Sequence, residues 1–265
     1  DYRFWKKFYK IAYIASIILL LMVLIPGIGR SAGGARRWIN LGIQFQPSEL
    51  AKIGLIIFYA SYLTDHKDEL KDFKKGFVKP LLYLIPVVLI LILVQDHLSA
   101  TIIIVLVVGI MMLMAGVRPK YFATVGTGVA VAGAAGLYAM AKFTSKGAFR
   151  IARITSFLNP WADKQGDGWQ VIQSLYAIGS GGLFGVGLGQ SKQKYLYISE
   201  PHTDFIFAVL AEELGFVGCA IVIGLFGIFI WRGVLAAMKA PDMFGSLVAV
   251  GITSLIGLQA IINIA

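Results

Sequence analysis

Charge and cysteine are scarce in this 265-residue chain, and each scarcity closes off a class of protein. There is one cysteine, Cys219, so no internal disulfide can form and no cysteine metal site exists. Charged residues make up 14% of the sequence, against about 25% in soluble domains. Apolar residues make up 58%, with a mean hydropathy of +0.78. A soluble protein of this size could not keep that much apolar side chain from water, so the composition is that of an integral membrane protein. A nucleotide loop is also missing. The glycine-rich run from Gly179 to Ser191 has no Gly-Lys-Ser/Thr ending, no preceding strand and no βαβ unit to hold it. Two uses remain for that run, a flexible connection or a turn whose amides approach an anion.

What is abundant is apolar sequence in lengths suited to a bilayer, where a span needs about 20 residues. Seven spans are expected, at about 8–28, 47–63, 80–95, 98–116, 121–141, 204–231 and 243–265. The third and fourth are separated by Gln95-Asp96-His97 alone. A single helix through both would be about 55 Å long, too long for one crossing, so a tight turn is expected there. The fold class is therefore all-α, a polytopic transmembrane helix bundle forming one domain over 1–265. The basic residues lie between the spans, so the net charge of +10 points to membrane lipids with anionic headgroups and not to nucleic acid. Thirteen of the 24 basic residues fall in segments 1–10, 64–79, 118–120 and 232–239, which the positive-inside rule assigns to the cytoplasm. The loops 29–46, 95–97 and 142–203 then face outward. The chain starts at Asp1 and stops inside an apolar run at Ala265, so further spans are expected on both sides.

The loop 142–203 is too rich in aromatics for a disordered linker. Segments 149–158 and 169–178 place apolar residues at helical spacing, as helices lying on a membrane surface do. They either cap the bundle or wall a cavity for a lipid-linked substrate.

Ionisable residues at membrane depth are costly and become functional candidates. Glu49 and Lys52 sit three apart at the start of the second span, on one helical face. They form either a structural ion pair or part of a charged patch facing an outer cavity. Arg36 and Arg37 precede Trp38 and suit bidentate phosphate contacts or a simple headgroup anchor. Asp204 stands where the long loop enters a helix, a position for an N-cap or for a general base at the water–membrane boundary. Nearby His202 has no cysteine or histidine at metal-ligand spacing, which argues against zinc.

The motifs GARRWINLG, QPSELAK, NPWAD, QSLYAIGSGGLFGVGLGQSKQKY and EPHTDFIFAVLAEELGF, in that order, resemble the SEDS family of shape, elongation, division and sporulation proteins. The last motif is closer to the division and sporulation branch. The resemblance implies a fragment of a ten-helix protein, carrying helices three to nine. It implies a peptidoglycan glycosyltransferase that polymerises lipid II by inverting transfer at the extracellular face of the plasma membrane, with a class B penicillin-binding protein as partner. It makes Asp204 the catalytic residue and Arg37, Glu49 and Lys52 substrate-binding, with Arg36 and His202 beside them. No cofactor is required, though a divalent cation (Mg or Mn) could offset the leaving diphosphate. Two rival functions stand beside this one: a lipid II transporter, and a non-catalytic scaffold for the penicillin-binding protein.

Overall fold

The computed structural model describes residues 2–32, 35–40, 42, 44–128, 159–162, 168–191 and 206–264. They fall into two compact units, 1–122 with 229–259, and 123–228 with 260–265.

In the first unit, α1 (Arg3–Lys7) and α2 (Tyr9–Met22) lead to a small sheet of β1 (Gly29–Ala32), β2 (Ala35–Asn40) and β3 (Gln44–Phe45). Then come α3 (Pro47–Asp65), a π-helical entry Phe73–Val78 into α4 (Lys79–Leu89), and α5 (Leu98–Ala115). Residues 119–128 form α6. The later helices are α7 (Trp169–Gly181), α8 (Ile206–Met238) and α9 (Met243–Ile264).

Helix α3 is the centre of this unit. Ala51, Leu55, Tyr59, Ala60 and Leu63 on it are buried. Close approach of backbones is set by small residues, as in membrane bundles generally. A methyl on Gly54 would collide with the Ser16 hydroxyl of α2, and one on Gly251 of α9 would collide with Ile56. The Tyr59 hydroxyl donates to the Pro80 carbonyl at 2.9 Å, tying α3 to the start of α4.

Among the described residues, four helical stretches are long and apolar enough to cross a membrane: Phe73–Val94, Leu98–Ala115, Ile206–Met238 and Met243–Ile264. Their apolar side chains are largely exposed, Leu93 at 74% and Met114 at 65% for example, as expected of surfaces solvated by lipid. Helix α2, at 14 residues, is shorter than a full span.

The tight turn at Gln95–His97 is present, with Asp96 at φ 47° and the His97 amide donating to the Leu91 carbonyl at 2.8 Å. The loop 29–46 is more structured than an all-α reading implies. It folds as a three-stranded antiparallel sheet, with a register irregularity between Arg30 and Ser31. Ile39 of β2 is fully buried, and that side chain anchors the sheet.

In the second unit, α7 forms over the segment expected to be an interfacial helix. It buries Ile172, Gln173, Ala177 and Gly181. The other such segment, 149–158, lies outside the described residues. So does most of the expected fifth span.

Candidate functional site

Gln46 is extended (φ −99°, ψ 114°) and Pro47 takes the first helical position, which starts α3. Glu49 in the first turn lies where the helix dipole favours negative charge. Lys52, three residues on, brings its Nζ to 2.7 Å from Glu49 Oε1. The two partners differ in setting: the Lys52 side chain is 2% exposed and that of Glu49 is 50%. Gln259 of α9 donates from Nε2 to the other Glu49 oxygen at 3.1 Å. A void of about 10 Å³ near Lys52, room for one water, is walled by apolar side chains including Leu55, Ile104, Val107 and Leu255. The ammonium therefore has apolar surroundings on one side and a carboxylate open to solvent on the other.

A second polar cluster closes the turn between α4 and α5. Arg37 of β2 donates from Nε to the Gln95 carbonyl at 3.2 Å and from Nη2 to the Asp96 carbonyl at 2.6 Å. The fully buried Gln95 amide donates to the Leu20 carbonyl at 2.9 Å, and its Oε1 has no partner among the described residues. The Gln46 amide donates to Nε2 of His97 at 2.7 Å. Arg37 thus has a structural task, holding carbonyls that the end of a helix leaves unsatisfied. Arg36, its neighbour on the strand, is exposed. Asp204, His202 and Glu200 lie outside the described residues.

The glycine-rich run is pinned, which corrects the reading of it as a flexible connection. Helix α8 is broken at Gly215 (φ 66°, ψ −169°). The amides of Val186 and Gly187 donate to the carbonyls of Glu212 and Glu213, at 3.0 and 3.1 Å. Beyond the break, the amides of Phe216 and Val217 donate to the carbonyls of Gly182 and Leu183, at 2.9 and 3.1 Å. A methyl on Gly185 or Gly215 would overlap the opposing backbone, so only glycine permits this pairing. Buried Glu212 accepts a hydrogen bond from the Ser191 hydroxyl. Among the described residues no group of three or more His, Cys, Asp or Glu is placed to hold a metal.

Sequence reasoning foresaw the Glu49–Lys52 pair but missed Gln259, Gln46 and Gln95. No local signal marks them, because their partners are 210, 51 and 75 residues away.

The chain is 44% identical over 265 residues to stage V sporulation protein E of Bacillus subtilis, covering 100% of this chain and 70% of that protein. It is 42% identical over 266 residues to a probable peptidoglycan glycosyltransferase FtsW of a Geobacter species, again covering 100% and 70%. Among solved structures it resembles a chain of a peptidoglycan synthase complex that coordinates polymerization and crosslinking. The TM-score there is 0.79 at 29% identity, over 98% of this chain and 70% of that one. It also resembles the rod shape determining protein RodA of Thermus thermophilus, with TM-score 0.64 at 29% identity over 99% and 67%. The family model for FtsW, RodA and SpoVE, described as cell cycle protein, matches residues 1–265. With that match over its full length, the chain belongs to the FtsW, RodA and SpoVE family of multi-pass membrane proteins.

Proposed function

We propose that this chain is the membrane part of a peptidoglycan glycosyltransferase that polymerises lipid II into glycan strands. The observation that carries the reading is the similarity over the whole chain to relatives named as peptidoglycan glycosyltransferases. In the proposed reaction the 4-hydroxyl of the acceptor sugar attacks the anomeric carbon of the donor. The bond to the diphosphate breaks as the new glycosidic bond forms, with inversion. Asp204 takes the proton from the attacking hydroxyl. Cationic groups offset the charge that develops on the leaving diphosphate. Lys52, held by Glu49 in a poorly solvated position, is one candidate, because a charge there is screened less than one in water. Arg37 is another, through the N–H groups not used on the turn, and Arg36 and His202 would line the approach.

A divalent cation could accompany the diphosphate. Both Glu49 oxygens are already engaged, one by Lys52 and one by Gln259, so Glu49 is not proposed as a ligand for it. The reaction is placed at the outer face, opposite the basic segments 1–10 and 64–79, and a class B penicillin-binding protein is the proposed partner that crosslinks the strands.

The test is purified lipid II incubated with the full-length protein and its penicillin-binding partner, the partner's own chemistry blocked, without nucleotide. Glycan polymer is the expected product. Movement of lipid II across vesicles without polymer would replace this reading with a transporter, and neither activity would leave a scaffold.

A further inference from the structure

At the other end of α3, next to the basic segments, α2, α3 and α4 enclose a cleft of about 440 Å³. That is within the range of small-molecule sites. Its walls are aromatic: Tyr13 stacks on Phe58 with centroids 4.5 Å apart, and Tyr83 meets Phe58 edge-on at 5.3 Å. Its rim is cationic. Lys10 lies 5.8 Å from the Tyr9 ring and Lys79 lies 6.0 Å from the Tyr62 ring. Neither lysine has a carboxylate partner among the described residues, whereas nearby Asp65 and Glu69 are paired with Lys6 and Lys75 at 3.0 and 2.9 Å. The rim therefore keeps its positive charge.

A buried hydroxyl in the cleft also lacks a partner among the described residues. Tyr62 is 4% exposed, and its hydroxyl makes no hydrogen bond among the described residues. Burying a hydroxyl unpaired is unfavourable. The neighbouring Tyr13 hydroxyl, by contrast, donates to the Tyr83 carbonyl at 2.8 Å. His66 stacks on Tyr62 at 4.3 Å and donates from Nδ1 to the Tyr62 carbonyl at 2.9 Å, which leaves its Nε2 available. Ile14 continues the lining with an apolar side chain that is 55% exposed, on a helix that also exposes Ile11 and Ile18.

We infer that this cleft binds the anionic headgroup of a phospholipid from the leaflet that meets the basic segments. Lys10 and Lys79 would meet the phosphate, the Tyr62 hydroxyl would donate to it, and the tyrosine faces would hold the glycerol and the first methylenes. Tyrosine and lysine together are the residues that settle at such an interface. The site is separate from the residues proposed for glycosyl transfer, so its failure would leave that reading untouched.

Native mass spectrometry of the full-length protein titrated with phosphatidylglycerol or phosphatidylcholine tests this. One saturable phosphatidylglycerol is expected to bind in preference to phosphatidylcholine. The pair Lys10→Gln/Lys79→Gln should weaken it roughly 10–30-fold, the worth of two interfacial lysines. Tyr62→Phe, which removes one hydroxyl and keeps the ring, should weaken it several-fold. The control pair Lys67→Gln/Lys74→Gln should leave it unchanged. Equal binding of both lipids would overturn the proposal, as would equal loss in the control pair or displacement by inorganic phosphate at the lipid's own concentration.

Discussion

The start of α3 and the break in α8 both place polar groups where a membrane protein has little water to solvate them. They solve the problem by opposite means. At the start of α3 side chains do the work: a buried ammonium faces a carboxylate, and a glutamine from α9 fills the carboxylate's second oxygen. At the break in α8 no side chain is needed. Four backbone hydrogen bonds exchanged with the glycine-rich run, two donated by it and two accepted, replace those the helix loses at Gly215. The first solution tolerates changes of shape but not of charge, and the second tolerates the reverse. Irregular backbone at membrane depth survives only where protein re-satisfies it, and glycine is what allows that contact.

The largest effect should come from adding one carbon to the α8 break. Gly215→Ala must hold a backbone conformation that costs an alanine about 1–3 kcal/mol. It also overpacks against the 183–185 backbone, for about 1–3 kcal/mol more. Folded yield and melting temperature in detergent should fall sharply. Gly224→Ala on the same helix has open space around it and should be neutral or stabilising by up to about 1 kcal/mol. Equal tolerance of the two would dissolve the contrast.

Next come the charges. Removing one partner of a fully buried pair costs about 3–5 kcal/mol. The half-exposed Glu49 lowers that to about 1–3 kcal/mol here, and the loss should be lopsided. Glu49→Gln strands a buried ammonium. Lys52→Met leaves a carboxylate that water and Gln259 can still serve, beside a methionine suited to apolar surroundings. A double-mutant cycle read by thermal unfolding should therefore show coupling, with Glu49→Gln the costlier single change; strict additivity would mean the pair is incidental.

Arg37 sharpens the comparison because it is a charged side chain serving backbone carbonyls. Arg37→Ala should cost about 1–3 kcal/mol of stability through two lost hydrogen bonds. Arg36→Ala should stay within about 0.5 kcal/mol, as exposed positions do. A stability loss of the same size in both would remove the turn from the account.

The smallest effect lies on the basic side. Hydrogen bonds to the Asp242 carboxylate from the Tyr2 hydroxyl, the Gly245 amide and the Arg3 guanidinium hold it below its ordinary value of 3.8. A carboxylate with a lowered folded-state value stabilises above its unfolded value and loses that contribution as pH falls through the folded one. Asp242→Asn should therefore be slightly less stable than wild type at neutral pH. The gap should close only below about pH 4, and a gap independent of pH would refute the ionic origin.

The two regions also differ in how far the sequence reveals them. The Glu49–Lys52 pair could be read because i,i+3 spacing on a helix guarantees proximity. The turn at Gln95–His97 could be read because an unbroken helix would have been too long for one crossing. The task of Arg37 could not be, since its acceptors are carbonyls 58 and 59 residues away and carry no residue-type signal. The same holds for the pinned glycine run, where backbone meets backbone and the glycines are equally compatible with a loose connection. The sheet at 29–45 was hidden because short strands interrupted by Gly33-Gly34 show little alternation. The place of Asp204 in the candidate site rests on the family's motif alone, as that residue lies outside the described structure.

The central claim is that Asp204 removes the proton from the attacking sugar hydroxyl. Its most direct test compares wild-type and Asp204→Asn protein in polymerisation of purified lipid II, at equal membrane level and equal partner binding. Asparagine keeps the size and much of the capping ability of aspartate. The variant is expected to fold, insert and bind its partner while polymerising about 10²–10⁴-fold more slowly. Polymerisation near the wild-type rate would contradict it and leave Asp204 as a helix cap.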